Sequence, residues 1–329
     1  TNYYFEIEQD DDFRKYGKSK ESRPNPIVTM GLFMDADGIP LAFDVFPGNQ
    51  NEQTTLKPLE TKIIRDFACS EFIFCSDAGL GSKANRRFNS FGNRSYVISQ
   101  SLKKMRREDR QMALNPKQFR RLGSNKFTDI STLDESDPDI YETIFYKEVP
   151  VANGDMNEIV IVTYSPKYKA YQKRIRGQQI ARAVKMIEQP GRKRRGKNQN
   201  DPARFIKSTA ITEDGEVAGR NIYDLDSDRI SEEEMYDGFY AVITNLEGDV
   251  GEILKINRQR WEIEENFRIM KTDFEARPVY VRRDERIKAH FLICYISLLV
   301  YRLLEKKLGN AYTCNEILGT LRSMQVTLS

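Results

Sequence analysis

The sequence predicts an α/β fold in which a mixed sheet flanked by helices is interrupted by a partly β insertion domain. Two observations lead to this prediction. Residues 1–100 alternate β-branched and aromatic runs with segments of helical periodicity, and residues 239–329 consist mainly of long apolar-periodic segments. Residues 101–238 differ from both, because short strand-like pieces there accompany a basic segment and a polar, low-complexity loop.

The first part predicts three neighbouring strands followed by alternating helices and strands. Residues 2–7 are rich in aromatic and branched side chains, and residues 27–46 form two apolar runs around an Ala-Asp-Gly turn, the pattern of a β-hairpin. The remaining patterns predict, in order, a helix over 51–67, a strand over 71–77, a helix over 82–91 and a strand over 95–99. This order is that of an RNase H-like sheet.

The insertion and the last part follow. Strand-like segments at 140–149 and 157–165 precede a basic helix near 170–187. Residues 239–245 predict a strand that returns to the core, and long helices are expected at about 250–273 and 284–308. We therefore expect a core over 1–100 and 239–329 with an insertion domain between them.

Charge is unevenly distributed along the chain. The 329 residues carry a net charge of only +3, yet the segment from Ser165 to Lys197 holds twelve Lys/Arg against one acid, Glu188. A local basic block in a near-neutral chain indicates a polyanionic partner. Its cations are interleaved with Tyr164, Tyr168 and Tyr171, which could pack on sugars or bases. A solvated helix followed by a loop is the alternative.

Several classes of site are disfavoured. The four cysteines show no C-x-x-C spacing, so reduced thiols in a cytoplasmic protein are expected rather than a zinc site or a disulfide framework. The longest apolar run, over 291–301, is too short to span a bilayer. His290 is the sole histidine, which rules out a histidine-based triad; we expect it to pack between helices.

Asp77 is the first candidate for chemistry. It ends a predicted strand and is followed by Ala-Gly-Leu-Gly-Ser. A carboxylate at the carboxyl end of a strand in an α/β sheet projects into the crevice where such folds bind ligands. Alternatively, Asp77 caps the next helix or shapes an Asx turn.

Glu264 is the second candidate. At about 100° per residue, Arg260, Glu264, Phe267 and Lys271 fall within one narrow stripe of a helix, whereas the other glutamates point elsewhere. Two nearby cations keep a carboxylate ionised, and a hard divalent cation needs it in that state. An exposed ion pair worth only ~0.2–1 kcal/mol is the alternative.

Together these features resemble the DDE transposases of bacterial insertion sequences. More narrowly, they resemble the group with an RNase H-like core and the signature Y-x2-R-x3-E-x6-K. Arg260, Glu264 and Lys271 match this signature in register, whereas Asn257 occupies the tyrosine position. Five further segments carry the resemblance in order: YGKSKESRP (16–24), GIPLAFDVFPGN (38–49), FCSDAGLGS (74–82), YDGFYAVITN (236–245) and RPVY with RIKAHF (277–291).

The resemblance implies a metal-dependent catalytic centre. Asp77 and Glu264 would be catalytic carboxylates that ligate Mg²⁺ or Mn²⁺, with two ions in the site. In such transposases the first catalytic Asp stands in an Asp-x-Thr context on the first strand. Here that threonine is Thr1, so the Asp would lie two residues upstream, and we expect this chain to lack it. Nothing supports Glu6 as a substitute, and residues 10–12 are expected to form a solvated acidic turn.

The resemblance also implies double-stranded DNA, both transposon ends and target, as the partner of a homodimer in the bacterial cytoplasm, at the nucleoid. Lys271 and Arg260 would contact the DNA backbone. The expected DNA-binding residues are Arg260, Lys271, Lys20, Arg23, Arg192, Lys193, Arg194 and Arg195. Two alternatives stay open: an RNase H-like nuclease that only hydrolyses DNA, and a non-catalytic DNA-binding relic of such an element.

Overall fold

A computed structural model describes residues 1–21, 23–68, 71–154, 156–188, 200–211 and 220–325. The chain forms two compact units. Unit 1 comprises Thr1–Ser99, Gly154–Met156 and Ile243–Ser329, and unit 2 comprises Gln100–Asn153 and Asn157–Val242. The assignment of 1–100, 101–238 and 239–329 to separate domains stays a prediction.

The first part of unit 1 has the predicted order of elements. They are β1 (Asn2–Tyr4), β2 (Ile27–Met34), β3 (Pro40–Pro47), α1 (Glu52–Asp66), β4 (Phe72–Ser76), α2 (Lys83–Phe88) and β5 (Arg94–Ser99). Strands β1, β2 and β3 pair antiparallel in that order, whereas β4 and β5 pair in parallel. The predicted sequence of three strands, helix, strand, helix and strand is therefore confirmed.

Strand β1 is shorter than its sequence pattern predicts. The pattern extends to residue 7, but the ladder with β2 ends at the pair Tyr4 and Ile27. The next residue, Phe5, donates its N–H to the carbonyl of Pro26 at 3.0 Å. Proline has no N–H to return, so the ladder cannot continue in its regular pattern.

Unit 2 contains most of the predicted insertion. Its elements, besides short 3₁₀ turns at Leu102–Lys104, Ile130–Thr132 and Pro202–Phe205, are α3 (Arg107–Leu114), β6 (Phe119–Arg121), β7 (Phe127–Thr128), α4 (Pro138–Glu142), β8 (Phe145–Asn153), β9 (Met156–Tyr164), α5 (Pro166–Glu188), β10 (Ile206–Ile211), β11 (Arg220–Leu225), α6 (Ser227–Glu234) and β12 (Phe239–Thr244). Five of its strands are hydrogen-bonded in the order β12-β9-β8-β6-β7, as part of a seven-stranded sheet, and β10 pairs with β11. The prediction of a partly β insertion agrees with this arrangement.

Helix α5 is the predicted basic helix, and a buried ion pair holds it in unit 2. Arg176 is buried and donates two hydrogen bonds to Asp237, both at 2.6 Å. The next residue, Gly238, has φ +82°, and a side chain there would meet the Tyr164 ring at 2.8 Å. Tyr164 itself is buried, and its hydroxyl donates to Glu135. The prediction that Tyr164 packs on nucleic acid is therefore wrong.

The last part of unit 1 is helical but more divided than predicted. Its elements are α7 (Val250–Arg258), α8 (Trp261–Arg268), a π-helical turn (Ile269–Asp273), α9 (Asp284–Lys307) and α10 (Cys314–Ser323). The single helix expected over 250–273 is wrong. Around Arg260 the backbone makes i→i−3 hydrogen bonds, which tighten the chain into a turn, and the helix after Arg268 widens into the π form.

The β1–β3 sheet lies between helices on both faces. One face contributes Tyr3, Val28 and Met30 to a core shared with the π turn, α9 and α10. On the other face, Ala42 and Phe33 pack with Leu59 and Ile63 of α1. Because the π turn contributes Ile269 and Met270 to the first core, α8 is fixed directly to the sheet.

Helix α9 is the one helix in the described part of the chain that is long and apolar enough to cross a membrane by length and composition. Core helices pass the same test, and Ile287, Phe291, Cys294 and Leu298 of α9 belong to the core of unit 1.

Candidate active site

The Asp77 loop lies at the carboxyl end of β4. Asp77 directly follows the strand, as predicted, and its side chain is exposed. Its Oδ1 accepts a hydrogen bond from the N–H of Gly79 at 2.8 Å, so it also shapes the Asx turn that was the alternative. A Cβ on Gly79 would approach Asp77 Oδ1 to 2.9 Å, and one on Gly81 would approach Ile98 to 2.9 Å. The two glycines therefore allow this tight loop.

Asn85 fastens the Asp77 loop to the helices on either side. It is buried, and its Nδ2 donates to the carbonyls of Leu80 at 2.9 Å and of Gln53 at 3.1 Å. Leu80 belongs to the loop and Gln53 to the first turn of α1. Ser82 caps α2 by accepting from the N–H of Asn85. The position of Asp77 thus depends on side chains of α2.

One side of α8 is held by a buried polar cluster. Asn266 is fully buried, donates to the carbonyl of Gly38 at 2.9 Å, and accepts from Arg302 Nε at 2.5 Å. Arg302 is also buried and lies 3.2 Å from Glu262 and 2.7 Å from Glu305. Burial raises the pKa of Glu262, and the charge of Arg302 opposes that rise. We call Glu262, Asn266, Arg302 and Glu305 the Arg302 cluster.

Glu264 lies on the open side of the same helix. Its side chain is 72% exposed, and Arg260 is 3.7 Å away. The neighbouring Glu265 instead pairs with Arg268 at 2.7 Å. The sequence-based separation of Glu264 from Glu262 and Glu265 is therefore confirmed. Taken by itself, the long contact between Glu264 and Arg260 also fits the alternative interpretation of Glu264 as a member of a weak surface ion pair.

The end of β4 contacts α7, the helix that directly precedes Arg260 and α8. Burial raises the pKa of the Cys75 thiol to about 11, and the charge of Arg260 opposes that rise. Cys75 also lies 3.6 Å from the carbonyl of Ile256 in α7. Since Asp77 follows Cys75 by two residues and Glu264 contacts Arg260, the two predicted carboxylates belong to adjoining elements of unit 1.

Lys271 lies in the π turn, beside the first strand. Its Nζ donates to Thr1 Oγ1 at 2.8 Å and lies 5.4 Å from the centre of the Tyr3 ring. Burial, and to a lesser extent the charge of Lys20, lowers the pKa of Lys271 to about 8. The helical stripe predicted to include both Glu264 and Lys271 is wrong in detail, because the π turn interrupts α-helical spacing.

Lys20 and Arg23 lie close to the same strand. Arg23 is 4.3 Å from the centre of the Tyr4 ring, and Lys20 is 3.2 Å from Glu52. Lys271 reaches the same strand through its contact with Thr1, so Lys271 and Arg23 both lie beside β1.

The other predicted contacts are spread over the chain. Arg192, Lys193, Arg194 and Arg195 lie outside the described residues. On α5, Tyr168 and Tyr171 are exposed and stacked, with ring centres 6.3 Å apart. His290 lies 3.2 Å from the carbonyl of Ala276, a packing position as predicted. Within the described part of the chain, no group of three His, Cys, Asp or Glu side chains is placed to hold a metal ion.

Sequence reasoning missed the residues that support the site. Asn85, Asn266 and Arg302 bear no motif, and their roles depend on contacts between distant segments. Trp261 was also missed. It is the only tryptophan and is 58% exposed in the first turn of α8, next to Arg260. A lone tryptophan beside a signature arginine was the available signal.

A mixed α/β fold with one exposed carboxylate at the end of a strand and another on a helix is consistent with an RNase H-like protein. The chain belongs to the transposase DDE domain family, whose model matches residues 5–300. This match confirms the predicted RNase H-like fold class and the resemblance to DDE transposases. Proteins of this family act on DNA and generally use divalent metal ions. No curated protein matches the chain. The insertion-sequence origin and the Y-R-E-K group stay predictions.

Proposed function

We propose that this chain is the catalytic region of a DNA transposase, which binds transposon-end DNA and catalyses its magnesium-dependent cleavage and transfer into target DNA. The observation that carries the proposal is the contact of Arg260 with Glu264 at 3.7 Å, together with the 3.6 Å contact between Cys75, two residues before Asp77, and the carbonyl of Ile256 in α7. These contacts support a site shared by an exposed strand-end carboxylate and an exposed helix carboxylate. Family membership supplies the reaction class.

Asp77 and Glu264 fit a hard divalent cation by the chemistry of their donor atoms. Both are exposed carboxylates, and Mg²⁺ prefers oxygen ligands. A pair of ions needs a further carboxylate, which we assign to an Asp two residues upstream of Thr1. Thr1 already pairs with Met30 of β2, so an upstream residue would extend β1 beside Lys271. Bound Mg²⁺ would supply activation of the attacking oxygen and stabilisation of the leaving one.

The cations would position the DNA backbone. Lys271 and Arg260 lie on the two sides of Glu264 in the chain, so we assign them to phosphates next to the reacting bond. Lys20 and Arg23 would extend this contact along β1. Residues 192–195 would bind other phosphates of the DNA, and two copies of the protein would act together on DNA in the bacterial cytoplasm.

The test uses a chain extended upstream to include the Asp-x-Thr segment. Labelled duplex DNA carrying the element's end is incubated with this protein and Mg²⁺, and strand cleavage is measured. We expect cleavage by the extended chain and at least a hundredfold less by the chain that starts at Thr1. Equal activity of the two chains contradicts the assignment of the third carboxylate.

Matched variants separate the carboxylates from their neighbours. In the extended chain, Asp77→Asn and Glu264→Gln should each abolish cleavage while leaving DNA binding measurable. Glu265→Gln is the control, since Glu265 is on the same helix but pairs with Arg268. A Glu264→Gln protein with the activity of the Glu265→Gln protein would remove Glu264 from the site.

The same assay decides between the remaining functions. A second, unlabelled duplex is added, and joining of the labelled end to it is measured. Cleavage with joining supports a transposase, and cleavage without joining supports a nuclease that only hydrolyses DNA. Tight binding of end DNA with no cleavage by the extended chain supports a non-catalytic relic.

A further inference from the structure

Glu60 is a buried acid on the apolar side of α1. Leu56, Leu59 and Ile63 form the buried strip of this helix, and Glu60 lies within it with no exposed surface. A carboxylate in such a place loses its hydration and needs compensating hydrogen bonds. Its direct contact is with Asn89, which directly follows α2 and is also fully buried.

Only half of the polar atoms at the Glu60–Asn89 contact that could form hydrogen bonds across it do so. Asn89 Nδ2 donates to Glu60 Oε1 at 2.8 Å and to the carbonyl of Asn85 at 3.2 Å. The other oxygen of each side chain, Glu60 Oε2 and Asn89 Oδ1, is buried and has no hydrogen-bond partner. Both are acceptors when Glu60 is ionised, so they cannot bond to each other. Two orphaned buried acceptors in one contact call for an explanation.

We propose that Glu60 is a neutral carboxylic acid whose Oε2–H donates to Asn89 Oδ1, closing a reciprocal pair that joins α1 to α2 and positions the Asp77 loop. One proton, taken from solvent, satisfies both orphaned oxygens. The link to the loop runs through Asn85, one turn before Asn89, which bonds Leu80 and Gln53. The importance of positioning the Asp77 loop rests on the proposed function, whereas the protonation of Glu60 does not.

The surroundings favour the neutral acid. Burial raises the pKa of Glu60 from 4.5 to about 7, although the bond from Asn89 and the charges of Arg94 and Lys57 oppose that rise. Both cations lie against the ring of Phe88, at 4.6 Å and 5.7 Å from its centre. Arg94 also donates to the carbonyl of Phe88 at 2.7 Å.

The sign of the pH dependence follows from the raised pKa. Between pH 4.5 and about 7 the folded protein holds a proton on Glu60 that the unfolded chain releases. The contribution to stability is therefore full at low pH and is lost as the pH rises through the folded pKa. A carboxylate stabilised by Arg94 would give the opposite trend.

The decisive variant is Glu60→Gln, because a glutamine amide can both donate to and accept from Asn89. Thermal unfolding midpoints are measured from about pH 5 to about pH 8.5. We expect the variant to match the parent protein at low pH, to unfold at higher temperature at high pH, and to have a flatter profile. Asp66→Asn, on the exposed end of α1, is the control and should keep the parent slope. A Glu60→Gln protein less stable than the parent at high pH overturns the proposal.

A second measurement tests the positioning of the loop. Hydrogen exchange of the segment 77–85 is compared for the parent and Glu60→Gln proteins at about pH 8. We expect at least threefold slower exchange in the variant, because its pair with Asn89 persists there. Equal exchange removes the role in positioning. In the extended chain, the ratio of variant to parent cleavage rates should rise with pH. If the extended chain shows no cleavage, the proposed function is contradicted. The thermal unfolding midpoints and the hydrogen exchange still show whether Glu60 is protonated.

Discussion

Helix α8 has two sides that carry the same kind of residue in opposite surroundings. On one side, Glu262 and Asn266 are held by Arg302, which is only 7% exposed. On the other side, Glu264 is 72% exposed and its contact with Arg260 is 3.7 Å long. The difference shows how a helix can be rigid and still present a charged group. The energy that fixes α8 comes from the Arg302 cluster and the core, so Glu264 is not needed for folding.

The largest effect is expected from Arg302→Ala. Its removal leaves the buried Asn266 and the half-buried Glu262 without their partner, so the free energy of unfolding should fall by about 3–5 kcal/mol. Urea unfolding measures this loss. Arg260→Ala, on the open side, is the control and should cost only ~0.2–1 kcal/mol. Equal losses for the two arginines would remove the contrast between the two sides.

Gly38→Ala is expected to have the next largest effect. Gly38 has φ +78°, and a Cβ there would lie 3.0 Å from Glu262 Oε2. Backbone strain together with this contact should lower the free energy of unfolding by about 2 kcal/mol. Gly92→Ala is the matched control, because Gly92 has φ +65° with no atom within 4 Å of the added Cβ. It should show the strain alone, about 1 kcal/mol. If both variants lose the same amount, Glu262 is not closely packed against the hairpin.

The proposed contact with DNA should respond to pH through Lys271, which lies in the π turn after α8. Its pKa is lowered to about 8, so its charge is lost as the pH rises above that value. Affinity for end DNA should then fall by up to about tenfold per pH unit, if a phosphate contacts this amine. Lys271→Arg stays charged and should flatten the profile. The free energy of unfolding should change in the opposite direction. Between pH 8 and 10.5 the unfolded chain holds a proton on Lys271 that the folded protein has released, so the contribution of Lys271 to stability rises with pH over this range.

The smallest effect on stability is expected from Glu264→Gln. The exposed carboxylate makes one long contact, so the free energy of unfolding should change by less than about 0.5 kcal/mol. Urea unfolding with and without Mg²⁺ provides the measurement. The metal should stabilise the extended parent chain and not the variant. A large loss of stability in the absence of metal would show that Glu264 belongs to the scaffold.

The sequence predicts much of the fold because most elements have strong local signals. The β2–β3 hairpin, α1, β4, α2 and β5 are observed in the predicted order, since each has a clear period bounded by turn residues. Glu264 could be distinguished from Glu262 and Glu265 because a helix puts adjacent residues on different faces. Asp77 could be placed because strands with alternating helices bring their ends to one edge.

What the sequence could not predict depends on contacts between distant segments. The Arg302 cluster joins the β2–β3 turn, α8 and α9, and no local pattern encodes such a meeting. Tyr164 was misjudged for the same reason, because its burial depends on the approach of Gly238. Glu60 has the spacing of an apolar position, and only its pairing with Asn89 shows why an acid is accommodated there.

The π turn at Ile269–Asp273 changes what the spacing between Glu264 and Lys271 means. Two contacts fix the rotation of the helix about its axis. Asn266 fixes it in α8 by its bond to Gly38, and Met270 fixes it in the π turn because its side chain is buried in the core. A π turn uses an additional residue for the same rotation, so it can absorb a mismatch between two such phases. Loss of one residue here would restore an ordinary helix and shift either the carboxylate or the lysine. The six residues between Glu264 and Lys271 therefore include one more than an ordinary α-helix would use for the same rotation. An alignment that treats this segment as a regular helix would misplace either Glu264 or Lys271.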